Sequence, residues 1–251
     1  MKLKLFKAII IFSVFTFNIN NESYSHGFLK KKNSLSVSNT TIIRNDGKEA
    51  YGFRNDTLLK YGITDWFTLA STTSIIHAES NKLKDTWGLN YQQLATQFQI
   101  FKHDKSALSL SLFARTGSYY NGNAGDFFAS KLWKIGLRFG YDYKITSKDT
   151  IMLLFEYRYF FKDDYIRLKL FIDYKHNWND KLTTSFFFRN FFYIDMEEEK
   201  SNATSFEVNF NYKITKKISL SAGIGYYLKH KDTTWSFKNI TFILGAGYSF
   251  F

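Results

Sequence analysis

The stretch ISLSAGIGYYL, residues 218–228, separates its residues by parity. Ile218, Leu220, Ala222, Ile224, Tyr226 and Leu228 fall on one side, and Ser219, Ser221, Gly223, Gly225 and Tyr227 on the other. A period of two places one set on each face of a β-strand. Alternation of this kind has two solutions. A soluble barrel hides the apolar face inside, whereas a membrane barrel turns it outward to lipid. The rest of the chain decides between them.

The same alternation recurs along the 251 residues. FEVNFNYKI (206–214) sets Phe206, Val208, Phe210, Tyr212 and Ile214 against Glu207, Asn209, Asn211 and Lys213. IRLKLFIDYK (166–175) and WKIGLRFGYDYKI (133–145) behave alike, with Lys, Arg, Asp and Gly on the non-apolar parity. Beyond residue 32 no segment sustains a 3.6-residue pattern. Twelve strands are expected: 33–44, 49–63, 66–78, 86–101, 106–119, 127–145, 150–161, 165–176, 181–194, 203–214, 217–229 and 235–251. The first three alternate less cleanly. The fourth needs a slip near Gln92–Gln93 to keep Trp87, Leu89 and Tyr91 on the face of Leu94, Phe98 and Ile100, as a β-bulge would provide.

Composition agrees with an all-β chain. There is no Pro to interrupt a ladder and no Cys for a disulfide, thiolate metal site or thiol redox centre. Aromatic residues make up 20% of the chain, and β-sheets favour them. The mean hydropathy of −0.28 excludes a bundle of membrane-spanning helices but not a barrel, whose alternating strands average out. At the N-terminus, Lys2, Lys4 and Lys7 precede an apolar run from Ala8 to Phe17, then Ser23 and Ser25 at A-x-A-like spacing. That run has the length of a signal-peptide core and is too short to span a bilayer. Residues 1–25 are therefore expected to be a cleaved signal peptide and 26–251 the barrel domain. Cleavage removes three lysines and one glutamate, taking the formal charge from +12 to +10. No nucleic-acid partner is expected of an exported chain without a basic helix or clustered patch.

The connections alternate in length. Short turns at ITDW, KHDKS, TSKD, WND and TKK alternate with RNDGKE, ESNKLKD, YNGNAGDF, KDD, DMEEEKSN and KHKDTT, which are mostly longer. An up-and-down barrel with both termini on the short-turn side follows, and outer-membrane barrels keep short turns in the periplasm. In that frame the outward aromatics form two belts. Tyr61, Phe67, Tyr141, Tyr143, Tyr174, Tyr212 and Tyr248 lie low; Tyr51, Phe53, Trp87, Trp133, Tyr159, Phe161 and Phe192 lie high. Membrane–water interfaces select such belts, and a soluble barrel does not. The apolar face therefore looks out to lipid.

The final strand, NITFILGAGYSFF (239–251), resembles the closing strand of Gram-negative outer-membrane barrels. Gly245, Tyr248 and Phe250 match the pattern of alternating apolar positions, a glycine and a terminal aromatic, with Phe251 one residue beyond it. The resemblance implies a location in the bacterial outer membrane, recognition by the barrel-assembly machinery, and contact with outer-membrane lipid and lipopolysaccharide. The architecture is also similar to twelve-stranded monomeric outer-membrane channels for acidic sugars, which have Arg-rich lumens. KYGITDWFTL (60–69) resembles the YG(L/I)TD turn of barrels associated with aromatic-compound degradation.

The inward parity carries the chemistry. Its basic residues are Arg54, Lys60, Arg115, Lys134, Arg138, Lys144, Arg158, Arg167, Lys169, Lys175, Arg189 and Lys213; its acids are Asp56, Asp142, Glu156, Asp173 and Glu207. Arg115, Arg138, Arg158, Lys169 and Arg189 come from five consecutive strands at mid to upper height and are expected to form a basic track. Rings of Arg and Lys bias a pore toward anions. The expected function is passive diffusion of small, preferentially anionic solutes. The alternatives are a non-conducting barrel, plugged by salt bridges and acting through its outer loops, and a hydrolase at the rim. For the hydrolase, outer-membrane phospholipases place His and Ser two apart on a lipid-facing strand. His77 has Ile75 and Glu79 at those positions, and the Asp-x-Asp and Asp-x-His pairs of omptin-type proteases do not occur. His77, Glu79, Asp163, Asp164, His230 and Asp232 remain as rim residues, read as solvated loop chemistry. DMEEEK (195–200) has no calcium-loop spacing, and GIG and GAG open no helix as a nucleotide fingerprint requires. No cofactor or metal is expected.

Overall fold

A computed structural model describes residues 29, 31–45, 50–80, 84–121, 133–161, 165–194, 202–231 and 234–250. The strands are β1 (Leu35–Asn45), β2 (Ala50–Thr64), β3 (Phe67–Ser80), β4 (Thr86–Lys102), β5 (Ser106–Arg115, resuming at Tyr119–Asn121), β6 (Lys134–Lys144), β7 (Asp149–Phe160), β8 (Tyr165–Asn177), β9 (Leu182–Ile194), β10 (Asn202–Lys213), β11 (Ile218–Lys231) and β12 (Thr234–Ser249). Each pairs antiparallel with its neighbours in sequence. β1 pairs with β12, from Ser36 opposite Ser249 to Asn45 opposite Ile240, so the sheet closes on itself. The chain is a closed twelve-stranded antiparallel barrel. Closure satisfies every ladder without an exposed edge, as a lipid environment demands.

The orientation matches the sequence reading. In β11, Leu220, Ala222, Ile224 and Tyr226 are exposed on the outer wall while Ser219, Ser221 and Gly225 are buried within. Phe210 is 51% exposed and Ile172 37%, against 7% for Lys169 and 1% for Glu156. A contiguous apolar outer surface of this extent calls for lipid rather than water. Both aromatic belts are present: Tyr61, Tyr143 and Tyr212 are exposed at the short-turn end, and Trp87, Trp133 and Phe161 at the other. The side chains of Tyr51 and Phe192 lie outside the described residues.

Two details differ from expectation. The slip in β4 falls at Asn90: Ser74 faces Tyr91 while Ile75 faces Leu89, leaving Asn90 as the extra residue. The shift comes before Tyr91, so that ring turns into the lumen, where it is buried, instead of joining Trp87 outside. Asn90 is held there by its Nδ2, which donates to Ser74 Oγ (3.0 Å), and by Ser118 Oγ, which donates to its Oδ1 (3.2 Å). Second, β5 breaks over 116–118 but resumes in register, with Arg115 opposite Gln93 and Tyr119 opposite Leu89. β6 is described from Lys134, and 127–132, expected to begin it, lie outside the described residues.

The weak alternation of the first segments has a structural counterpart. Asn39, Thr57, Thr73 and Gln92 face one another in turn across β1–β4 on the outer parity. The amides of Asn39 and Asn55 exchange hydrogen bonds of 2.8 Å and donate to Thr57 and Thr41 at 3.0 Å. Polar groups satisfied by one another are tolerable at a lipid face.

At the last strand, Phe250 N donates to Leu35 O (3.0 Å), and the rings of Tyr248 and Phe250 meet edge-on at 4.7 Å. Gly245 faces Thr40 on β1 and Ser221 on β11. Phe251 and residues 1–25 lie outside the described residues.

Candidate functional site: a layered cation cluster on the lumen wall

Register stacks the inward residues of β4–β9 into rungs. On one rung Arg138 faces Glu156, which faces Lys169. The next rung toward the long-loop end holds Phe113, Gly136, Arg158 and Arg167 in succession. The rung beyond holds Arg115, Lys134 and Phe160. Same-face rungs are two residues apart, about 7 Å along a strand, so three consecutive rungs carry six cations and one acid.

Glu156 is the hub. Arg138 Nε donates to its Oε2 at 2.5 Å and Arg158 Nη2 to the same oxygen at 3.0 Å. Arg158 Nε pairs with Oε1, and Lys169 Nζ lies 3.5 Å from Oε1. All four side chains are buried. Aromatic faces carry the cations. The guanidiniums of Arg138 and Arg158 lie 4.2 and 5.3 Å from the centroid of Phe113. Arg115 stacks on Tyr91 at 3.8 Å, and its Nε and Nη2 donate to Gln93 Oε1 at 2.9 and 2.7 Å. Lys134 and Arg167 flank Phe160 at 4.8 and 5.5 Å. Cation–π contact suits a desolvated wall because it holds a cation without neutralising it.

Gly136 makes room for this arrangement. A Cβ there would lie 2.2 Å from Phe113 Cζ and 2.7 Å from the Tyr157 carbonyl oxygen. The ring lies flat against the backbone of β6 because that residue has no side chain. Gly136→Ala is therefore expected to push Phe113 off the wall and destabilise the barrel by about 1–3 kcal/mol, measurable by urea unfolding in lipid vesicles.

Arg189 stands apart from the hub. It ion-pairs with Glu207 (Nη1–Oε2, 3.0 Å) and lies between the rings of Phe171 (5.8 Å) and Phe187 (5.3 Å). The expected five-residue track thus divides. Arg138, Arg158 and Lys169 meet on Glu156, Arg115 sits above them, and Arg189 belongs to the level below. Below Arg189, toward the short turns, one rung places Asp142, Met152, Asp173, Phe187 and Glu207 in succession. Acids dominate that rung, and the rung below it carries Lys144 and Lys175 on either side of Thr150. At the long-loop end of β2, Arg54 pairs with Asp56 (2.9 Å), and Asp56 also accepts from Ser74 Oγ (2.5 Å) and Tyr91 OH (3.3 Å).

The supporting aromatics and Gly136 were not singled out from sequence. Their signal is legible afterwards: Phe113, Phe160, Phe171 and Phe187 are large apolar residues on the polar parity, and Phe113 faces a glycine. Lys134 and Arg167 stood among the inward cations but outside the track.

Among the described residues the rim assembles no comparable site. His77 lies on the outer face between Phe53 and Trp87, at ring distances of 5.4 and 4.9 Å. Its Nε2 is 3.0 Å from Glu79 Oε1 and its Nδ1 3.1 Å from Thr86 O. Among the described residues no side-chain hydroxyl contacts it. Asp163, Asp164, Asp232 and the side chain of His230 lie outside the described residues. Among the described residues no group of three or more His, Cys, Asp or Glu is placed to hold a metal ion.

No protein-family model matches the chain, and no curated protein matches it. Solved structures do. The COG4313 outer membrane channel from Pseudomonas putida F1 superposes with a TM-score of 0.75 at 14% identity, over 92% of this chain and all of that one. The NanC porin gives 0.62 at 10% identity, over 84% of this chain and 98% of that one. The KdgM porin, solved in complex with disordered oligogalacturonate, gives 0.58 at 11% identity, over 86% and 99%. At such identities the likeness establishes the fold, which is that of bacterial outer-membrane barrels.

Proposed function

We propose that this barrel is an outer-membrane channel for small solutes, with a preference for anions. One observation carries the reading: Arg115, Lys134, Arg138, Arg158, Arg167 and Lys169 crowd three rungs of the lumen wall against a single carboxylate, Glu156. An excess of cations over carboxylates on a pore wall lowers the barrier for anions and raises it for cations. The order of the rungs matters as well. An anion entering from the long-loop side meets the cation rungs first, and the rung of Asp142, Asp173 and Glu207 lies beyond. The shared fold supports the channel reading, and KdgM was solved with a polymer of acidic sugars.

A second reading, a barrel too tightly packed to conduct, draws on the burial of Glu156, Arg138, Arg158 and Lys169 and their contacts with one another. One recording separates the two. In a planar bilayer under a KCl gradient, the purified barrel is expected to give discrete channel events with a reversal potential of the sign set by chloride. Potassium preference would overturn the anion assignment, and persistent silence would favour the closed barrel.

A further inference from the structure

We infer that Glu156 is an internal ligand: its carboxylate fills an anion-binding site built by Arg138, Arg158 and Lys169, and a polycarboxylate solute binds there by displacing it. The inference rests on the anionic-solute reading of the lumen and names the chemistry of the solute.

The geometry around Glu156 is that of a recognised carboxylate. Both oxygens are engaged: Oε2 accepts from Arg138 Nε (2.5 Å) and Arg158 Nη2 (3.0 Å), and Oε1 faces Arg158 Nε and Lys169 Nζ (3.5 Å). Guanidiniums read planar carboxylates in this side-on, multi-donor manner. The cations also have supports other than Glu156. Phe113 carries both guanidiniums, Gly136 fixes Phe113 against the wall, and Lys169 Nζ lies 5.6 Å from the Phe171 centroid. A site so braced keeps its form when the carboxylate swings away, and the cost of preorganisation falls on folding rather than on binding.

Charge sets the direction of the exchange. One carboxylate holds three cations, while Arg115, Lys134 and Arg167 stand one and two rungs above, about 7 and 13 Å along the strands. A monocarboxylate offers the hub nothing that Glu156 does not already supply. A solute with two or three carboxylates engages the hub and the upper rungs together, an advantage no single side chain can match. Glu156 thereby sets specificity: it competes with every anion and yields best to the multiply charged ones.

The experiment is a calorimetric titration of citrate into the refolded, detergent-solubilised chain at fixed ionic strength. Glu156→Gln removes the internal competitor and is expected to tighten citrate binding roughly tenfold over wild type, with much less gain for acetate. Glu156→Asp keeps the charge, and so the folding of the cluster, but withdraws the carboxylate by one methylene; it is expected to tighten citrate roughly threefold. Unchanged or weaker citrate binding in Glu156→Gln overturns the inference. If that variant does not refold, the absence of any gain in Glu156→Asp overturns it equally. Binding is read here without conduction. A barrel silent in bilayers whose variants gain citrate affinity refutes the channel and upholds the internal ligand. An anion-selective wild type whose variants gain none does the reverse.

Discussion

Ile224→Arg is expected to weaken the folded barrel by about 2–4 kcal/mol in a bilayer, the cost of an arginine facing lipid at the midplane. Ile224 lies at the middle of β11, 37% exposed, with Val208 of β10 and Phe242 of β12 as its outer-face partners. None of these can hydrate or pair a guanidinium, and neither rim is close enough for the side chain to reach water readily. Ser221→Arg places the same charge three residues earlier on the same strand, among Asn211 and Gly245 on the lumen wall. Its cost is expected to stay below about 1 kcal/mol, because an inward charge meets a polar wall. Equilibrium unfolding of both variants in vesicles measures the contrast. Equal losses, or a larger loss for Ser221→Arg, would mean that the sheet is turned the other way.

The paired substitution Arg138→Gln with Arg158→Gln is expected to weaken anion preference markedly in bilayer recordings. It removes two of the six cations on the three upper rungs and leaves Glu156 facing only Lys169 within contact distance. The wall of that level then has four positive charges against one negative. The carboxylate, no longer held by the guanidiniums, projects its own field into the path. The reversal potential should move toward zero without reaching it, and the difference from wild type should shrink in concentrated salt, where the Debye length drops to about 3 Å at 1 M. Arg189→Gln serves as the comparison. That arginine is paired with Glu207 below the hub, so its loss should shift selectivity far less. If the two substitutions have equal effects, the hub does not govern permeation.

Much of this was legible from residue order. Strand number, the ends of most strands and the outward face follow from a period of two, which each residue expresses independently of its neighbours in space. Phe210 and Lys169 fall where their parity puts them. The reading failed where the signal depends on a partner strand. Whether the slip in β4 falls at Asn90 or at Gln92 is settled by Ser74 and Ser118, from β3 and the break in β5, which hold the Asn90 amide. That choice decides whether Tyr91 joins the outer belt or the lumen. The early strands read poorly because Asn39, Thr41, Asn55 and Thr57 satisfy one another across β1–β2, a solution invisible to single-strand alternation. The track was visible as a list of inward cations. Its division, with Glu156 gathering three of them and Arg189 going to Glu207, needed register, which sets the height of each residue against the next strand.

The closing seam has a consequence for the shape of the passage. On the inner wall of β11, β12 and β1, Ser219, Ser221, Gly223 and Gly225 are followed by Gly245, Gly247 and Ser249 and then Ser36 and Ser38. Arginines, lysines and phenylalanines crowd the opposite side, from β5 to β9. Apart from Ile42 and Ile243, side chains on this seam are small, so in the proposed channel the roomier side is expected toward β12. In the proposed channel a solute would have one flank on this seam and the other on guanidiniums. It is expected to travel with its charged edge turned to one azimuth, as a key is held by the asymmetry of its slot.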